Sequence, residues 1–167
     1  MTKDKTLILT SRQISQKIER IAHHIYEIHY KEKEIVIVGI KDRGYIVAAR
    51  IAKVLKEISS LNIELHSITL NKDNPLDSLE YDGELGLLKG KVVILVDDVL
   101  NSGRTLIFAV REILTANPKI LATATLIDRI HRKFPIRADY VGLTLSTNLK
   151  EHITVEMGGK KEAVYLE

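Results

Sequence analysis

Apolar residues in this chain fall into two spacings, and the alternation between them predicts the fold. Uninterrupted apolar runs occur at residues 34–40 (EIVIVGI) and 92–96 (VVILV), the signature of strands buried on both faces. A further run at 119–127 (KILATATLI) predicts another parallel strand, and 62–70 alternates Ile63, Leu65, Ser67 and Thr69 against Glu64, His66, Ile68 and Leu70. Helical spacing separates these runs. Ile14, Ile18, Ile21, Ala22, Ile25 and Ile28 form one stripe behind a Thr10/Gln13 capping box. Val47, Ile51, Val54, Leu55 and Ile58 form a second over 45–58, and Leu106, Ala109, Val110, Ile113 and Leu114 a third. Short strands are expected at 152–155 and 163–166, joined by the turn MGGKKE. The order predicts one α/β domain over 1–167, doubly wound, with a mainly parallel central sheet flanked by helices. Residues 71–88, polar and carrying Pro75, Gly83 and Gly86, break the pattern and predict a lid.

Composition narrows the class without choosing a function. The 167 residues carry 25 Lys+Arg against 22 Asp+Glu, a net charge of +3 that permits phosphate or nucleic-acid partners without demanding them. Absence of cysteine excludes disulfides and thiolate sites and favours a reducing compartment. No apolar run approaches the ~20 residues of a membrane span, so the expectation is a cytoplasmic protein with no membrane partner. His23, His24 and His29 have no recognisable metal-ligand spacing.

The chemistry concentrates at residues 91–105, KVVILVDDVLNSGRT. Asp97 and Asp98 stand where the strand should end, and Asn101, Ser102, Gly103, Arg104 and Thr105 lead into a helix. Ligands of open α/β sheets bind at the carboxyl ends of strands. The loop offers unpaired N–H groups at a helix N-terminus, which suit a phosphate. The acids can accept hydrogen bonds from a vicinal diol or hold Mg²⁺ through water. Phosphate and diol together point to a ribose 5-phosphate. Neither a Walker A loop nor a GxGxxG fingerprint is present, which excludes P-loop and Rossmann dinucleotide readings. A second glycine-flanked basic loop, GIKDRG at 39–44, also ends a strand and opens a helix.

VDDVLNSGRT resembles the phosphoribosyl-pyrophosphate (PRPP) motif of type I phosphoribosyltransferases. That resemblance implies ribose and 5-phosphate binding by Asp97, Asp98, Asn101, Ser102, Gly103, Arg104 and Thr105, and makes GIKDRG the pyrophosphate loop, with Lys41, Asp42, Arg43 and Gly44 as contacts. It implies catalytic roles for Asp97, Asp98, Lys41 and Arg43, a non-proline cis peptide in the pyrophosphate loop, and Mg²⁺ carried with PRPP rather than by a protein cage. It also implies a small hood built from the terminal segments. Asp128 and Arg129 become candidates on the base and metal side, with a strand-end salt bridge as the equal alternative for the carboxylate.

DRIHRKFPIRADYVG at 128–142, with RIAHHI near the N-terminus, resembles a narrower group: pyrimidine-operon attenuation regulators that are also uracil phosphoribosyltransferases. The expected reaction is transfer of the 5-phosphoribosyl group from PRPP to uracil, giving UMP and pyrophosphate. Segment 136–143 would cover the base through backbone groups. The alternative is an RNA-binding regulator that senses UMP or PRPP with weak or no catalysis, its RNA face drawing on Arg20, His23, His131, Arg132 and Lys133. By the same resemblance a homodimer or larger homo-oligomer is expected. Two departures stand out. Asn71, Lys72, Asp73 and Asn74 replace a Tyr-Arg-Asp-Asp-like run at the start of the lid, leaving Lys72 as the candidate for the missing arginine. Asn101 replaces a frequent aromatic residue.

Overall fold

The computed structural model describes residues 5–71, 73–74 and 79–167. Two sheets organise the chain. The larger has six strands in the order β4-β3-β2-β5-β6-β7: β2 (Glu34–Ile40), β3 (Asn62–Leu70), β4 (Leu79–Tyr81), β5 (Val92–Leu100), β6 (Ile120–Asp128) and β7 (Tyr140–Thr144). All neighbours are parallel except β4, which runs antiparallel to β3. The smaller sheet joins the two ends of the chain, with β1 (Thr6–Thr10) beside β9 (Ala163–Leu166) and β9 beside β8 (Ile153–Glu156).

The uninterrupted apolar runs are explained by burial on both faces. Ile35 and Ile37 of β2, with Val92, Ile94 and Val96 of β5, enter a core shared with helices α1 (Ser11–His29) and α2 (Arg43–Ile58). Val36, Val38, Val93 and Leu95 enter the opposite core beneath α3 (Arg104–Leu114). Both faces are therefore covered by helices, as a parallel sheet requires. Helix α1 starts as its sequence dictates: the Gln13 amide donates to Thr10 Oγ1 at 3.3 Å and the Thr10 amide to Gln13 Oε1 at 2.9 Å. Among the described residues no helix is long and apolar enough to cross a membrane.

The structure differs from the sequence reading in four places. Strand β5 does not stop at Val96: it runs through both acids to Leu100, because β6 continues beside it and pairs Asp97 with Thr125, Val99 with Ile127 and Leu100 with Asp128. Helix α2 starts at Arg43, so Arg43 and Gly44 form its first turn instead of a free loop. The expected lid contains β4 and a 3₁₀ turn, Leu85–Leu88, since Leu79, Tyr81, Leu85 and Leu88 all reach the core below α3. Finally β1 and β7 are strands that the pattern did not announce, being five residues each with mixed exposure.

Candidate active site

Chain order sets the location. From β2 the sheet grows outward through β3 on one side and β5 on the other, which makes the crevice between the carboxyl ends of β2 and β5 the topological switch point. The basic turn after β2 and the acids of β5 meet there. Gly44 makes that approach possible: a Cβ on it would lie 3.0 Å from the Asp97 backbone, from Asp97 Oδ1 and from the Val96 carbonyl. The peptide between Lys41 and Asp42 is cis, as the resemblance implies. The Lys41 amide donates to the Ile68 carbonyl at 3.0 Å, which ties this turn to β3.

The acids do not share one environment. Asp98 Oδ2 lies 3.4 Å from Arg43 Nε, and Arg43 Nη1 also donates to the Val155 carbonyl of β8 at 2.9 Å. Asp97 Oδ1 accepts from the Asp98 amide at 2.9 Å. Burial, followed by the adjacent Asp98 charge, raises the Asp97 carboxyl well above the usual carboxylate range, against smaller opposing effects of the Asp98 amide and Arg43. Thr125 Oγ1 donates to the Asp98 carbonyl at 3.1 Å and fixes the backbone behind the pair. Lys41, Asp42, Arg43, Asp97, Asp98, Asn101, Thr105 and Ile153 line one cleft of about 260 Å³.

Residues 101–105 form the adjoining cavity, about 170 Å³, which shares Asp97, Asn101 and Thr105 with the cleft. Gly103 caps α3 with φ 84°, in the left-handed region that favours glycine. A Cβ there would also lie 2.6 Å from Ile136 Cγ2. The Ser102 carbonyl accepts from the amides of Lys133 and Phe134 at 2.9 and 3.1 Å, so segment 133–136 rests directly on this turn. Ser102 Oγ accepts from the Arg104 amide at 3.3 Å. The arrangement aims the first turn of α3 at the cavity, where it can receive a phosphate.

The remaining candidates sort differently. Asp128 and Arg132 form a fork, Nη1–Oδ1 at 2.8 Å and Nη2–Oδ2 at 2.7 Å, with Arg132 Nε donating to the Ile136 carbonyl at 2.8 Å. The strand-end salt bridge is therefore what the geometry builds. It ties Arg132 to the end of β6. Arg129 is buried and spends its donors on Thr147, Asn148 and Asn101. Arg20 reaches the carbonyls of Val141 and Gly142 on the edge strand β7, and His131 contacts the Thr147 carbonyl. His23 and Lys133 are exposed. Lys72 lies outside the described residues. Ile153, Val155 and Thr125 were not singled out from sequence. Only Thr125, one of two hydroxyl residues inside a mainly apolar strand, carried any signal.

Comparison with known proteins agrees with this geometry. The family model described as phosphoribosyl transferase domain matches residues 5–158. The bifunctional protein PyrR of Clostridium acetobutylicum is 41% identical over 170 residues, covering 95% of this chain and 93% of that protein. Its counterpart from Pelotomaculum thermopropionicum is 37% identical over 179 residues, covering 100% and 98%. Among solved structures, a Bacillus anthracis hypoxanthine-guanine phosphoribosyltransferase superposes with TM-score 0.71 at 25% identity, covering 90% of this chain and 86% of that one. The Trypanosoma cruzi hypoxanthine phosphoribosyltransferase reaches TM-score 0.79 over 95% of each chain at 17% identity, a likeness of fold. A family match over nearly the whole chain, on a sheet whose switch point joins the acidic pair to a phosphate-shaped turn, places the chain in the phosphoribosyl transferase domain family.

Proposed function

We infer that the protein transfers the 5-phosphoribosyl group of PRPP to uracil, releasing pyrophosphate and forming UMP. One observation carries the reading: basic turn, acidic pair and phosphate-shaped turn share one cleft at the sheet's switch point. Asp97 and Asp98 would accept the ribose hydroxyls, and their charge would favour the cationic character that develops at C1 as its bond to pyrophosphate breaks. The amides and hydroxyls at 102–105 would hold the 5-phosphate and orient C1. Lys41, Arg43 and the turn amides would take the pyrophosphate, and Arg43 would leave Asp98 to do so. Uracil nitrogen forms the new bond to C1 as the leaving group departs, and its proton passes to solvent. The small sheet would serve as the hood.

The site fits Mg²⁺ delivered with the substrate. Asp97 and Asp98 supply hard oxygens suited to water-mediated contact, and among the described residues no cluster of three acids or imidazoles forms a protein cage. When bound, Mg²⁺ neutralises charge on the departing pyrophosphate. By family resemblance the protein acts in the cytoplasm as a homodimer or larger homo-oligomer, and light scattering after gel filtration tests the assembly.

Pyrophosphate release from PRPP and Mg²⁺ across a panel of bases decides the reaction. Uracil-dependent release is expected, falling at least ~100-fold in Asp97→Asn. Binding of PRPP or UMP without turnover on any base would favour the second reading, an RNA-binding regulator of pyrimidine genes. That reading has its own support, because the curated relatives carry the name bifunctional. Of its expected RNA-face residues, Arg20, His23 and Lys133 are exposed. RNA affinity on that face should fall steeply with salt.

A further inference from the structure

Arg129 is a buried guanidinium, 7% exposed, at the end of β6. Its three contacts are all neutral: Nε donates to Thr147 Oγ1 at 2.6 Å, Nη2 to the Asn148 carbonyl at 2.9 Å, and Nη1 reaches Asn101 Oδ1 at 3.5 Å. Among the described residues no carboxylate forms an ion pair with it. The acids around it face other groups. Asp128 is forked by Arg132, Asp98 faces Arg43, and Glu151 Oε2 accepts from the Asn148 amide at 2.6 Å. Lys41 and Arg104, also in the cleft wall, are exposed and stabilised by solvent. Arg129 is nearly shut off from solvent and, among the described residues, has no counter-ion, whereas a buried charge is ordinarily paired.

We propose that Arg129 is a positioning residue whose missing counter-ion is the dianionic 5-phosphate of a bound phosphoribosyl ligand. It acts through Asn101, which its guanidinium approaches and which lines both the phosphate cavity and the acidic cleft. Its other two contacts hold the 147–148 segment leading to β8 and Ile153, so the same side chain registers the cleft roof against the phosphate turn. The free protein tolerates an uncompensated positive charge that the ligand then neutralises. The proposal rests on the phosphoribosyltransferase reading of the cleft.

The experiment is calorimetric binding of ribose 5-phosphate, with melting of the ligand-free protein alongside. Arg129→Gln, which removes the charge, should weaken binding about tenfold. Arg129→Lys, which keeps it, should stay within about threefold of wild type. Thr147→Asp leaves Arg129 in place and supplies the absent carboxylate beside Nε; it should weaken binding as Arg129→Gln does while raising the melting temperature of the free protein. The Arg129→Gln deficit should persist at 0.5 M salt, where the Debye length is only about 4 Å, whereas that of exposed Arg104→Gln should shrink. Unchanged affinity in Thr147→Asp would overturn the proposal, as would Arg129→Lys binding no better than Arg129→Gln. Wild type and a Thr105→Ala control distinguish failure of the cleft reading: if wild type ignores ribose 5-phosphate, or Thr105→Ala binds it equally well, the phosphate assignment falls and takes the proposal with it.

Discussion

Asp97 shows how a binding group works against the fold that carries it. The pKa of its carboxyl is raised above the usual range, so the native state holds a proton that the unfolded chain releases near the ordinary value of 3.8. Through that interval the native state binds more protons, and stability falls as pH rises. At neutral pH the buried Asp97 carboxyl beside Asp98 is a liability. Asp97→Asn should therefore stabilise the free protein by about 1 kcal/mol at pH 7 while abolishing turnover, and the gain should vanish as pH approaches 4, as urea titrations at several pH values will show. His29 works in the opposite sense. Buried and bonded to the Tyr140 hydroxyl at 2.9 Å, it titrates below its ordinary value of 6.5, chiefly through desolvation. A depressed base contributes stability above the unfolded value, lost as pH falls through the folded one. His29→Gln should cost about 1 kcal/mol at pH 7 and lose less on acidification to pH 5 than wild type does.

Among the elements, turns dominate the function. Gly44→Ala would push the first turn of α2 away from β5 against backbone atoms, which cannot yield as a flexible side chain can. PRPP affinity should drop about tenfold or more, with ribose 5-phosphate, which lacks the pyrophosphate, affected far less. The β3–β4 pair is stapled by Asp82: Oδ2 accepts from the Ser67 amide and hydroxyl, both at 2.8 Å, and Oδ1 meets His66 Nδ1 at 2.9 Å. Asp82→Ala should cost about 1 kcal/mol, reduced by the partial exposure of the carboxylate, and speed amide exchange at Ser67. The buried strands and amphipathic helices were legible in the sequence because burial on both faces of a sheet and on one face of a helix leaves different periods. The turn at 101–105, proposed to seat a phosphate, was legible as a strand-to-helix turn because acids, glycine and hydroxyls occur together there. Strands β1, β4 and β7 were not: each is short, lies at a sheet edge, and owes its existence to a distant partner. A strand-end salt bridge at Asp128 was legible as one of two alternatives, but its partner Arg132 was not, since a spacing of four residues outside a helix does not fix a contact.

At the scale of the molecule, the two sheets divide the labour. The acids of β5 and the basic turn between β2 and α2 supply the charged groups of the cleft, and the small sheet roofs it through Ile153 and the Val155 carbonyl. A ligand that bridges them binds only the folded chain, so UMP at 100 times its dissociation constant should stabilise the protein by about 2.7 kcal/mol, read as a melting shift. The contact of Ile136 with Gly103 has a kinetic consequence. The segment expected to cover the nucleobase stands on the turn expected to seat the phosphate, with the Ser102 carbonyl bonded to both Lys133 and Phe134 amides. The two half-sites are joined by these contacts. In the proposed reaction the phosphoribosyl donor then prepares the platform for its acceptor, and uracil should bind more tightly once ribose 5-phosphate is seated. Because such coupling is reciprocal, ribose 5-phosphate should bind more tightly to the uracil complex by the same factor.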